Sequence, residues 1–220
     1  PGLVKSVFAK ALWANPETLK RATETVPLRR IGVPDVSAGA AVFVSIMAGR
    51  SVASLRAALG DDAAVVRAMP TTPAAVRQGF TAAYAAPGVS PAQRDLADSL
   101  LQAVGEVAWV EEEDQINPVT AVSGGGPAYV FLLAEVMERA AIEQGLPPDL
   151  ARRMARATVA GSDALLAASP QEAAALRRAV TSPKGTTERA LIVLMAPEAW
   201  PGLMSKAIAA ATVRARELAG

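Results

Sequence analysis

In the stretch TSPKGTTE, residues 181 to 188, hydroxyls and a glycine crowd into one turn: Ser182, Gly185, Thr186 and Thr187 stand just ahead of the apolar run Ala190 to Leu194. A helix that begins here leaves its first backbone N–H groups unpaired at the positive end of its dipole, where a hydroxyl cap or an incoming anion can satisfy them. Taken alone, a Ser/Thr cluster at a helix start is more often a cap than a carboxylate socket.

Composition narrows the rest of the chemistry. The chain has 220 residues with no cysteine and no histidine, which excludes thiol nucleophiles, disulfides, thiolate metal sites and any mechanism that needs an imidazole. Hydroxyls, carboxylates, lysines and water remain for proton transfer, so a bound cofactor is expected to carry the difficult step. No metal site is expected. Lys and Arg number 22 against 21 Asp and Glu, with no basic block, which argues against nucleic acid as a partner. No run of about 18 apolar residues is free of charge or proline, and the start lacks a leader pattern. A soluble cytoplasmic protein without membrane contact is the expectation.

The elements that would hold the turn change character near residue 115. Upstream, apolar runs at 41–46, 63–67, 80–84 and 106–110 alternate with helical stretches at 52–59 and 91–104. That alternation predicts a largely parallel α/β sheet. Downstream, helical periodicity covers 118–144, 148–168, 172–180, 186–196 and 201–219, punctuated by Gly145, Pro170, Pro183 and Pro197. The fold class is therefore α/β followed by all-α, with units at 1–115 and 116–220. Val119 to Ala141 carries only Glu135, Glu138 and Arg139 as charges; a helix so apolar must be buried, and a second copy of the chain is the natural cover.

Three further stretches bear on a site. AVSGGGPAYVF, 121–131, places three glycines before Pro127 and reads as a tight packing or hinge segment. SIMAGRS, 45–51, and RAMPTTP, 67–73, read as strand ends that connect to helices or approach a flat ring closely. The acidic run Glu111 to Asp114 reads as a solvated first turn or linker.

Taken together, VVRAMPTTPAAVRQGFTAAY, the segment from GEVAWVEEEDQ through AVSGGGPAYVF to ATVAGS, and LRRAVTSPKGTTERALIVL closely resemble the pyrroline-5-carboxylate reductase family, over about Val44 to Glu217. The resemblance implies an N-terminal Rossmann-like domain and a C-terminal helical domain whose helices interleave in a homodimer, with dimers often assembling into larger rings. It implies reduction of 1-pyrroline-5-carboxylate to L-proline, the last step of proline biosynthesis, with NADPH or NADH. By the same resemblance Ser182, Gly185, Thr186 and Thr187 hold the substrate carboxylate and ring, and Val180 adds a backbone contact. Thr187 matches the threonine that hydrogen-bonds the ring nitrogen, which makes it the catalytic candidate. Ala48, Gly49, Met69, Thr71 and Thr72 look like neighbours of the nicotinamide half.

The chain departs from that pattern in several places. Residues 1–40 contain only Gly2, Gly32 and Gly39 and no G-x-G-x-x-G, so the Rossmann-like domain is expected to be incomplete, either shortened or missing stretches in this sequence. ANPETLKRA, 14–22, resembles the end of the family's second strand, with Lys20 and Arg21 as candidate readers of a 2′-phosphate. Gly125 stands where the family usually has Ser, Thr71 where Asn is usual, and Lys184 where Gly is usual. A related imine or hydroxyacid reductase, or a non-catalytic dimeric descendant, remain as alternatives.

Overall fold

A computed structural model describes residues 41–219. The sought glycine fingerprint, Lys20 and Arg21 lie outside the described residues. Four strands, β1 (Phe43–Ser45), β2 (Val65–Pro70), β3 (Gly79–Ala85) and β4 (Gly105–Trp109), form one sheet in the order β1-β2-β3-β4. Helix α1 (Val52–Leu59) joins β1 to β2, and α2 (Pro91–Gln102) joins β3 to β4. Both of these pairings are parallel, with Ser45 opposite Arg67 and Ala82 opposite Ala108.

The sheet is largely parallel, as expected, but its central pairing is not. β2 and β3 run antiparallel, with Met69 opposite Ala82, because only a short 3-10 turn at Thr72–Val76 separates them. A parallel return needs a crossover of about a dozen residues or more. Within β2 the alternation of side chains divides the core: Val65 packs with Val52 and Leu55 of α1, whereas Val66 and Ala68 pack with Ala97 and Leu101 of α2. Helix α2 starts from a reciprocal capping box between Ser90 and Gln93, with proline in its first turn.

The second half is helical: α3 (Ile116–Val119), a π turn at Thr120–Gly124, then α4 (Gly126–Glu143), α5 (Pro148–Ala168), α6 (Ala173–Ala179), α7 (Thr186–Leu194) and α8 (Trp200–Ala219). The π turn has a local cause. Pro127 has no N–H for the Ser123 carbonyl, and the Gly125 N–H bonds back to Thr120 O at 2.9 Å, which leaves the Ala121 carbonyl without its helical donor. The Tyr129 hydroxyl donates to that carbonyl at 2.9 Å.

Helices α4 and α5 pack on each other, and α8 packs on α3 and the π turn. Not one residue of α4 is buried within the chain, although the helical run Glu113–Glu143 is long and apolar enough, by length and composition, to cross a membrane. Phe131 is 69% exposed and Leu165 67%. Much of the apolar surface of this half is open in the single chain.

Candidate functional site

The TSPKGTTE turn links α6 to α7 and is stabilised by backbone bonds and by side chains other than those of its candidate ligands. Thr181 Oγ1 donates to Arg177 O at 2.7 Å, and the Gly185 N–H donates to Ser182 O at 3.0 Å. A carboxylate oxygen of Glu188 accepts from the Lys184 N–H at 2.9 Å, reaching back over the helix start. Gly185 occupies the cap position in extended conformation and makes no side-chain cap. The exposed hydroxyls of Ser182, Thr186 and Thr187 have no hydrogen-bond partner among the described residues, and neither do the N–H groups of Thr186 and Thr187. The chain thus brings Ser182, Gly185, Thr186 and Thr187 into one turn, with Val180 exposed at its near edge. Such an array of free donors at a helix start suits a carboxylate.

The second cluster lies on the carboxyl edge of the sheet, where β1 and β2 end side by side. Ala48 is exposed in the turn that follows β1, and Gly49 has a φ of +69°. A Cβ there would stand 2.9 Å from the carbonyl oxygen of Leu218, so the last turn of α8 presses on this loop. Met69, the penultimate residue of β2, has its Cε against Gly124 of the glycine triplet, 2.9 Å from where a Cβ would be. Thr71 is buried, and its hydroxyl accepts the Phe80 N–H at 3.0 Å, bracing the β2–β3 turn; Thr72 opens the 3-10 turn and is exposed. Ala48, Gly49, Met69, Thr71 and Thr72 therefore share one edge.

The two clusters are not brought together within one chain: neither α6 nor α7 packs extensively on any strand. A cleft of about 470 Å³ lies beside the turn, lined by Arg177, Thr181, Glu188 and Leu191 among others, and an adjoining one of about 370 Å³ runs toward Trp200 and Met204. Neither is lined by residues of the sheet edge.

The acidic run does form a first turn, with Glu113 and Asp114 opening a 3-10 helix, but it is not merely solvated. Glu113 Oε1 accepts from Arg67 Nη1 at 3.0 Å and from the Val52 N–H at 2.7 Å, and Asp114 takes a forked pair of bonds from Arg216 at 2.8 and 3.2 Å. Arg67 in the middle of an apolar strand was the available signal, because a buried guanidinium needs a carboxylate. The glycine triplet has a packing role: a Cβ on Gly125 would stand 2.6 Å from the Tyr129 hydroxyl.

Residues 113–218 match the family model for the pyrroline-5-carboxylate reductase dimerisation domain. The chain is 47% identical over 178 residues to a Pseudomonas aeruginosa pyrroline-5-carboxylate reductase, covering 81% of this chain and 65% of the relative. It therefore spans slightly less than two thirds of that relative's length. Among solved structures, a Coxiella burnetii pyrroline-5-carboxylate reductase is 37% identical with a TM-score of 0.79, over 93% of this chain and 73% of that one. A Plasmodium falciparum pyrroline carboxylate reductase solved with NADP bound shares the fold at 23% identity and a TM-score of 0.73, over 93% of this chain and 75% of that one.

Proposed function

The chain belongs to the pyrroline-5-carboxylate reductase family, and from that premise we propose that it reduces 1-pyrroline-5-carboxylate to L-proline in the cytoplasm, with no membrane contact. The observation that carries the reading is the TSPKGTTE turn. Glu188 and Thr181 brace it, so the hydroxyls of Ser182, Thr186 and Thr187 and the first amides of α7 stay free for a substrate carboxylate.

NADPH or NADH supplies the hydride when bound. The carboxyl edge of the sheet fits the nicotinamide half, because Gly49 has no side chain, Ala48 has a small one, and both follow a half-buried strand beside Met69 and Thr72. Thr71 contributes its backbone there, since its hydroxyl is engaged with Phe80. The residues of the turn anchor the substrate ring through its carboxylate, and the Thr187 hydroxyl supports the ring nitrogen as it gains its proton. A hydroxyl of ordinary acidity orients the imine or relays a solvent proton rather than acting as a strong acid.

The division into a nucleotide-binding unit at 1–115 and a helical unit at 116–220 goes with this reading. Two copies pair through the helical unit, covering α4 and the apolar faces of α5 and α7, and such dimers can assemble further into a ring. Since α7 does not pack on its own sheet, the partner's turn is the one that faces this chain's cofactor edge. Mixing the full-length protein with 1-pyrroline-5-carboxylate and NADPH or NADH tests the reading. L-Proline should form in step with nicotinamide oxidation; no proline with either cofactor at saturation would reject it.

A further inference from the structure

Glu113 and Asp114 stand between β4 and α3, and each holds a different part of the molecule. One oxygen of Glu113 accepts both the Arg67 guanidinium and the N–H of Val52. The Arg67 side chain is only 4% exposed, and among the described residues Glu113 is its one ion-pair partner. Val52 is the first residue of α1, which follows directly on the loop carrying Ala48 and Gly49, while Arg67 precedes Met69 on β2. A single carboxylate therefore ties together the two segments that form the cofactor edge.

Asp114 reaches the opposite way. It accepts Arg216 Nη2 at 2.8 Å and Nε at 3.2 Å, and the buried Asn117 amide at 3.0 Å. Arg216 lies in the last turn of α8, just ahead of Leu218, the residue that presses on Gly49. The contacts close a circuit from the Gly49 loop through α1, Glu113, Asp114 and α8 back to Gly49. A loop whose centre is a glycine in the left-handed region has no side chain with which to fix itself.

We propose that the consecutive carboxylates Glu113 and Asp114 are positioning residues that clamp the Ala48–Gly49 loop between α1 and the last turn of α8, so that it meets the nicotinamide end of the cofactor as one fixed surface. Neither touches the ligand. The inference rests on the reductase reading above for the identity of that ligand, whereas the clamp itself is a property of the chain.

The test uses full-length wild type, Asp114→Asn, Arg216→Gln and their double variant, with steady-state kinetics in which each substrate is varied in turn. Each single substitution should raise the KM for NADPH about three- to tenfold, through a looser binding geometry. The KM for 1-pyrroline-5-carboxylate and the mass of the oligomer should not move. The double variant should be no worse than either single one, because the same contact is lost. Glu113→Gln, which keeps an oxygen for Val52 but loses the charge facing Arg67, should have the larger effect; should it fail to fold, the exposed pair decides alone. An unchanged KM for NADPH in both single variants, or both KM values rising together, would overturn the proposal. A wild-type protein that oxidises neither NADPH nor NADH overturns the reductase reading instead. The clamp is then read from amide exchange at Gly49 and Arg50, which must quicken in the variants if it exists and stays unchanged if it does not.

Discussion

Glu188 accepts the backbone N–H of Lys184 at 2.9 Å, and Lys184 holds a φ of +60°. The one residue of the turn forced into left-handed conformation is thus fastened by the carboxylate one helical turn later. Lysine is an uncomfortable occupant there, since a Cβ costs about 1–2 kcal/mol in that region. Lys184→Gly relieves this strain but adds chain entropy to the unfolded state, leaving a net gain of about 0.5–1 kcal/mol. A thermal melt should show a rise of about 1–4 °C; a fall would show that the lysine side chain makes a contact that outweighs its strain.

The π turn gives a second prediction. Tyr129→Phe removes the donor to the Ala121 carbonyl and should destabilise the protein by about 1–2 kcal/mol. Gly125→Ser places a Cβ against the same hydroxyl and should also destabilise alone. Combined with Tyr129→Phe it should add less than it costs alone, because the nearest atom it crowds, the hydroxyl, is gone, while the ring Cζ and the Ala121 carbonyl stay close. Urea denaturation of the two single variants and the double one measures the coupling, and strict additivity would contradict it.

Helix α4 tests the pairing of chains. Phe131 is 69% exposed in the single chain, so Phe131→Glu should scarcely alter an isolated subunit, yet it would bury a charge in a dimer. Light scattering should show the mass falling to that of a monomer, with loss of stability. A dimer unaffected by the substitution would place the interface elsewhere.

The hydrogen bonds from Arg216, and then from Asn117, hold the Asp114 carboxyl below the usual carboxylate range. A folded-state value lower than the unfolded one means that the pair's contribution is complete above the unfolded value and is lost as pH falls through the folded value. The Arg216–Asp114 contact should therefore open only in acid beyond the ordinary aspartate titration. Titrating Asp114 by NMR checks this, with Arg216→Gln expected to move the midpoint up toward normal. A normal midpoint in the wild type would show that the contact does not persist in solution.

Much of this architecture was legible from residue order alone. Strands announced themselves as apolar runs between glycines and prolines, and each helix boundary fell near a proline or glycine. The reversal between β2 and β3 was not legible, because PTTPAAVRQ reads as any connection until the left-handed Arg77, with φ of +60°, turns it back. The ion pairs of the acidic run were hidden for a different reason: its partners Arg67 and Arg216 lie 46 and 102 residues away from the carboxylates they meet. Periodicity carries no trace of such pairings. In TSPKGTTE the residue types left cap and socket open; no side chain caps the start of α7, and Glu188 fastens the Lys184 N–H ahead of it.

Whether that turn is a socket is decided most directly by the kinetics of Thr187→Val set beside its thermal melt. The substitution keeps shape and β-branching but removes the hydroxyl. If the hydroxyl supports the ring nitrogen as hydride arrives, kcat should fall by about ten- to a thousandfold, about 1.4–4 kcal/mol, with little change in melting temperature. Ser182→Ala, measured alongside, should mainly raise the KM for 1-pyrroline-5-carboxylate, because the carboxylate contact is present in ground and transition states alike. An unchanged kcat in a Thr187→Val protein that has lost about 1 kcal/mol of stability would contradict the account and leave the turn a helix cap.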